Sequence, residues 1–250
     1  MVRRLRGVVR LTCFVAVTLH CAAVFAVVFP FASGPRRMVH VGRFSARMLS
    51  ALGLTVRTSG EMGTGSTLLV ANHVSWLDIL AINAVQPVRF VSKADVRGWP
   101  LVGWIVACGG TLFIERERRS DAMRVVHQVA EALSSGAQIA IFPEGTTSDG
   151  RDVLPFHASL LQAAVTTGVS TQPVMLRFSD ASETFSLAAP YIGDMTLMQS
   201  LWSVANARRL TAHVNFLPPL NGPHADRRSL GEQLRCGIVQ ALIETQERHG

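Results

Sequence analysis

Thr67-Leu68-Leu69-Val70-Ala71-Asn72-His73-Val74-Ser75-Trp76-Leu77-Asp78 is the stretch whose reading decides the fold. The apolar run Leu68 to Ala71, bounded upstream by Gly63 and Gly65, has the pattern of a short strand buried on both faces. Asn72 and His73 break the run, and Trp76 to Val85 returns to a helical pattern. In open α/β sheets ligands bind outside the carboxyl ends of strands. A histidine and an aspartate five residues apart therefore stand where chemistry is placed. On a continuous helix that step turns a side chain by roughly 500°. His73 and Asp78 thus meet only if His73 lies in the turn and Asp78 early in the helix. In that geometry Asp78 holds one ring nitrogen and the other is free to take a proton. The pair is then a base with its orienter, needing no protein nucleophile. The competing reading is a helix cap beside a surface aspartate.

Outward from this stretch, strands alternate with helices. Val88 to Lys93, Thr111 to Ile114, Ala137 to Phe142, Val169 to Phe178, Phe185 to Tyr191 and Leu210 to Leu217 read as strands. Ser120 to Leu133, His157 to Thr167, Asp194 to Ala207 and Arg228 to Glu247 read as helices. Gly98 to Cys108 is apolar all round, which fits a buried helix or a membrane-facing one. The alternation predicts an α/β fold with a mostly parallel central sheet flanked by helices. There is no internal repeat.

The N-terminal segment is of another kind. Leu11 to Ser33 is apolar except for His20, and about 20 such residues are enough to cross a bilayer. A secretory signal is the alternative, but its apolar core is usually only about 7–15 residues. A retained membrane-embedded segment is expected. Arginines stand on both sides of it, so charge gives no clean orientation. With Pro30 near its end, the segment also fits a helix that dips into one leaflet and returns. Residues 36–53 mix arginine with Met, Val, Phe and Leu, as a helix lying in the interface does. Gly60 to Ser66 reads as a linker.

Composition agrees with membrane contact. Hydrophobic residues make up 48% of the 250, charged residues 16%, and mean hydropathy is +0.29. Net charge is +7, and Lys93 is the only lysine. Such a surface favours anionic partners: phospholipid head groups or an acidic carrier protein. Nucleic acid is not expected, since aromatics are sparse and no recognition motif is present. The four cysteines have no paired metal spacing, so no metal is expected and reduced thiols are.

Four strand ends carry polar residues that a core does not need, and together they form a pattern. Asn72, His73 and Asp78 match Asn-His-x-x-x-x-Asp. Gly110, Phe113, Ile114 and Arg116 match Gly-x-x-Phe-Ile-x-Arg. Phe142 to Thr146 read Phe-Pro-Glu-Gly-Thr, and Pro173 and Val174 supply a Pro-Val strand. In order and spacing the chain resembles the PlsC-type glycerolipid acyltransferases over roughly residues 65–190. With the reading of the N-terminal segment above, the chain divides into a membrane anchor and interfacial helix over 1–60 and an acyltransferase domain over 61–250. The resemblance implies that His73, oriented by Asp78, takes the proton from the free hydroxyl of a lysolipid, whose oxygen attacks an acyl thioester. Backbone N–H groups near the helix start are the expected oxyanion donors.

The same resemblance implies that Arg116, Glu144 and Gly145, with Thr146 beside them, hold glycerol phosphate; Lys93 is a further candidate. No cofactor is implied beyond acyl-CoA or acyl-carrier protein as co-substrate. The expected acceptor is 1-acylglycerol-3-phosphate, and the expected location is the inner (cytoplasmic) membrane with the catalytic domain facing the cytoplasm. Two positions depart from the family pattern. Thr147 stands where Arg is common, and His157 where a basic residue is common after Phe. Both weaken the hold on phosphate and keep lyso-ornithine lipid open as the acceptor. A catalytically silent scaffold is disfavoured because both His73 and Asp78 are retained. A hydrolase is disfavoured because there is no Gly-x-Ser-x-Gly element.

Overall fold

The computed structural model describes residues 2–114 and 119–247. The chain opens with two helices, α1 (Val2–Val28) and α2 (Gly34–Ala51), joined by a short 3-10 turn at Phe29–Phe31. Then follow β1 (Thr55–Ser59), β2 (Thr67–Ala71), α3 (Leu77–Val85), β3 (Arg89–Lys93), α4 (Val102–Cys108), β4 (Leu112–Ile114), α5 (Arg119–Ser134) and β5 (Gln138–Ile141). The last elements are α6 (Gln162–Thr167), β6 (Ser170–Ser179), α7 (Leu197–Asn206), β7 (Thr211–Phe216) and α8 (Arg227–Glu247).

The strands form one seven-stranded sheet in the order β1-β7-β6-β2-β5-β3-β4. Every neighbouring pair is parallel except β6 and β7. The sheet is thus mostly parallel, as the alternation predicted. β2 lies at its centre and all five of its residues are buried. Successive side chains of a strand point to opposite faces, and β2 divides accordingly. Leu69 and Ala71 join the core formed with α3 and α7. Leu68 and Val70 join the core formed with α5, α6 and the start of α8.

Several expectations need correction. Phe185 to Tyr191 is not a strand. Pro190 has no N–H to give a ladder, and Ser186 instead folds its hydroxyl back onto the Asp180 carboxylate. β1 was not anticipated, because Thr-Val-Arg-Thr-Ser is a largely exposed edge strand without an apolar period. It is paired to β7, so the division expected at residue 60 falls after the first strand of the sheet. The helix expected from His157 begins only at Gln162. The apolar face of α2 does not lie free for lipid: Val41, Phe44, Met48 and Leu49 are buried in contacts inside the protein. Gly98 to Cys108 is buried on one side only: Gly103 and Ile105 are buried, whereas Trp99, Leu101, Val102 and Trp104 are exposed.

Candidate active site

β2 ends at Ala71, and the next residue extends its pairing with a side chain. The Asn72 amide donates to the Leu176 carbonyl at 2.9 Å, and its oxygen accepts from the Leu176 N–H at 2.7 Å. This buried clamp holds the strand's end against β6 and fixes where the following turn begins. His73 lies in that turn and Asp78 in the first turn of α3. The sequence spacing required this arrangement for the two to meet.

Asp78 is fully buried, and its Oδ2 gathers three groups. His73 Nδ1 lies at 2.7 Å, the Val74 N–H donates at 2.7 Å and the Ser75 N–H at 2.9 Å. The positive end of the α3 dipole adds to the stability of a negative carboxylate there. With Nδ1–H directed at Asp78, the imidazole's lone pair is on Nε2. The His73 side chain keeps 19% of its exposure, so the ring is open to a reactant on one side. The ring also lies flat on Phe142, with centroids 4.1 Å apart and planes at 13°, and Phe142 is backed by Phe90 at 5.8 Å.

The loop after β5 locks this turn from the other side. Glu144 is buried, and its two oxygens accept from the N–H groups of His73 at 2.7 Å and Leu154 at 3.0 Å. Burial pushes the Glu144 carboxyl up to about 7, and its two backbone donors and His73 oppose the rise. Gly145 stands at φ +73°, the left-handed conformation that glycine adopts without penalty, and this lets the turn reverse. The Ser148 N–H donates to the His73 carbonyl at 2.8 Å, and the Tyr191 N–H donates to the Val74 carbonyl at 3.0 Å. The Thr147 hydroxyl donates to the Tyr191 carbonyl. Both peptide bonds flanking His73 are therefore tied to other segments.

Of the residues singled out in the sequence, His73, Asp78 and Glu144 are brought into direct contact. Gly145 and the exposed Thr146 form the adjoining turn. Lys93 is exposed at the carboxyl end of β3, on the same sheet edge. Arg116 lies outside the described residues, just beyond β4. Four N–H groups near the start of α3 are not free to act as oxyanion donors. The N–H groups of His73, Val74, Ser75 and Asp78 already donate to Glu144, Asp78, Asp78 and the Ser75 carbonyl respectively. They are committed to building the turn. Sequence reasoning did not find the roles of Phe142, Ser148 and Tyr191. Phe142 was visible as part of a motif; Tyr191 carried no local signal at all.

Comparison with known proteins decides the family. The model of the family described as Acyltransferase matches residues 53–177. A lyso-ornithine lipid O-acyltransferase of Pseudomonas aeruginosa is 39% identical over 80% of this chain and 77% of its own. The chain belongs to the PlsC-type acyltransferase family. A 1-acyl-sn-glycerol-3-phosphate acyltransferase of Neisseria meningitidis is 36% identical over 84% of this chain and 82% of its own. The fold is that of the crystal structure of PlsC, the 1-acyl-sn-glycerophosphate acyltransferase from Thermotoga maritima. The TM-score is 0.71 at 21% identity, over 99% of both chains. As a member of this family the chain is an acyltransferase that acts on lysolipids. The turn that follows β2 is where the family's first motif falls in it.

Proposed function

We propose that this acyltransferase moves an acyl chain from a thioester of coenzyme A or acyl-carrier protein to the free hydroxyl of 1-acylglycerol-3-phosphate, and that it works at a membrane. The observation that carries the reading is the His73–Asp78 bond at 2.7 Å, which commits Nδ1 and leaves Nε2 as the base. Nε2 takes the acceptor's hydroxyl proton while that oxygen bonds to the thioester carbonyl carbon. The C–S bond then breaks, and the departing thiolate recovers the proton from His73. Asp78 stabilises the transient imidazolium and stays ionised. Glu144 acts through the His73 backbone as a positioning residue. Arg116, Lys93 and the Gly145-Thr146 turn are the groups proposed to meet the acceptor's phosphate, Arg116 through its planar fork.

A second reading, lyso-ornithine lipid as the acceptor, is favoured by one observation. Thr147 stands where the family commonly has arginine, and its hydroxyl is turned onto the Tyr191 carbonyl. The Pseudomonas relative named for that activity supports the same reading. Offering both acceptors to the purified protein with one acyl donor separates the two. Faster turnover of lysophosphatidate, impaired by Arg116→Ala, supports the first. Preference for lyso-ornithine lipid, with Arg116→Ala affecting both equally, overturns it.

The membrane reading rests on the N-terminal hairpin. Arg4–Phe31 is long and apolar enough to cross a bilayer by length and composition. Leu5, Val8, Val9, Val15, Leu19, Val27 and Phe31 are exposed along it. Yet its start is bound to the catalytic domain: Arg6 donates to the Asn206 carbonyl, and Arg10 to those of Ala205 and Ala207, at the end of α7. The chain then returns through α2, which carries four arginines and is packed against α1 and α3. A helix so charged does not cross hydrocarbon. Both ends of the hairpin therefore stay on one side, and α1 dips into one leaflet. The inner membrane is the proposed site, with the domain on the cytoplasmic side.

A further inference from the structure

The chain's charge is divided unevenly. Residues 1–60 hold nine arginines and no Asp or Glu, whereas the rest holds fifteen basic residues against seventeen acidic ones. The whole positive excess belongs to the hairpin and the first strand. Some of these arginines are occupied within the protein. Arg6 and Arg10 bind the end of α7. Arg37 donates to the Ala32 carbonyl at 2.9 Å and lies over the Phe29 ring.

Arg43 and Arg47 are not so occupied. They stand four residues apart, exposed on one face of α2 and mutually repulsive at that spacing. Among the described residues no carboxylate pairs with either. Together with His20 and His40 they line a cleft of about 150 Å³ between α1 and α2, whose buried residues are Cys21, Phe25 and Phe44. Elsewhere along the hairpin Val15, Leu19, Val27, Phe31 and Val39 are exposed. Ionisable groups clustered within an apolar, membrane-directed surface mark a functional site. The cleft is also apart from the acyl-transfer centre. Phe14 touches the Trp76 ring beside that centre at 6.2 Å, and His20 is six residues, about 9 Å, further along α1.

We propose that this cleft binds the phosphate of an anionic phospholipid of the bilayer itself, a resident lipid distinct from the acyl acceptor. The inference rests on the membrane reading of the hairpin. Two guanidinium forks on one face offer paired N–H donors to the free oxygens of a phosphodiester. His20 and His40 add ring donors from either wall. Charge complementarity argues for this occupant: Arg43 and Arg47 converge with two histidines where no carboxylate among the described residues pairs with either arginine. The bound lipid sets the depth of α1, and with it the height of the catalytic turn above the acyl chains.

Flotation of the full chain with vesicles of phosphatidylcholine, alone or mixed with phosphatidylglycerol, tests the proposal. The wild type is expected to bind both and to bind the mixed vesicles more tightly. Diffuse attraction gives on the order of fivefold per basic residue and is indifferent to Arg→Lys. Arg43→Lys with Arg47→Lys keeps the charge and loses the forks, so it is expected to lower the gain from phosphatidylglycerol by more than fivefold. Arg36→Lys with Arg57→Lys, outside the cleft, is expected to leave the gain within twofold. His20→Gln with His40→Gln supplies a second variant that leaves the α2 arginines in place, and it is expected to reduce the gain as well. Full retention of the gain by the cleft variants overturns the site in favour of diffuse charge. Equal wild-type binding to both vesicles overturns the site and leaves the membrane reading standing. Binding to neither overturns the membrane reading itself and the site with it.

Discussion

Replacing Glu144 with glutamine tests how the turn that carries His73 is held. The side chain is 3% exposed, and its oxygens accept from the His73 and Leu154 N–H groups. Its carboxyl is raised from 4.5 to about 7, so the fold disfavours the ionised form. A raised acid contributes stability that is complete below its unfolded value and is lost as pH climbs through its folded value. Each tenfold change in proton affinity is about 1.4 kcal/mol, so the contribution lost between pH 4.5 and 7 is about 3 kcal/mol. Glutamine does not titrate, but its NH2 cannot accept one of the two N–H groups. That missing bond costs about 1 kcal/mol. At pH 5, already above the unfolded value, roughly 1 kcal/mol of that contribution is gone, so Glu144→Gln is expected to match wild type to within about 0.5 kcal/mol. At pH 8 it is expected to be more stable by about 2 kcal/mol. Urea melts of both proteins in the same detergent at the two pH values measure the difference, in which other titrating groups largely cancel. A wild-type-minus-variant difference that is flat with pH refutes the reasoning, because Glu144 would then have no raised proton affinity in the fold.

Three further substitutions probe the same framework. Asp78→Asn removes the charge that faces the imidazolium and is expected to lower kcat by about 10²–10⁴-fold, and a loss under tenfold in steady-state assays argues against the orienting role. Phe142→Leu removes the ring stacked on His73, a contact of about 1 kcal/mol to a cation; kcat is expected to fall about 3–10-fold with little change in either KM, and an unchanged kcat contradicts it. Arg10→Ala leaves the Ala205 and Ala207 carbonyls without their donor and is expected to cost about 1–3 kcal/mol in urea melts; the docked start of α1 should also become more open to protease, and unchanged protection speaks against the hairpin's attachment to α7.

Some of this architecture was legible in the sequence, and the reasons are physical. β2 announces itself because a strand buried on both faces must be apolar throughout, and Leu68 to Ala71 is. The His73–Asp78 contact was legible as a condition: five residues bring the side chains together only across a turn into a helix. β1 was hidden because an exposed edge strand needs no apolar period, and Thr55 to Ser59 has none. Phe185 to Tyr191 misled because its apolar content resembles a strand's, while Pro190 and the Asp180–Ser186 contact divert the backbone. The inward course of Glu144 was illegible, since Pro143-Glu144-Gly145 specifies a turn but not what the carboxylate faces. Tyr191 reaches the turn from far along the chain, and only the fold reveals such a contact. The backbone donors near α3 were expected to face an oxyanion, but three of them are spent holding Asp78 and Glu144 in place.

The central claim is that His73 is the proton acceptor in acyl transfer to a lysolipid hydroxyl. Its most direct test is transfer of a radiolabelled acyl chain from a thioester donor to lysolipid by the wild-type protein and by His73→Ala, with folding checked by a matching melt. General-base catalysis supplies about 10²–10⁴-fold. Labelled diacyl lipid is expected from the wild type and a loss of that order in His73→Ala; a folded His73→Ala protein that turns over within a few-fold of wild type contradicts the role of His73 as the base.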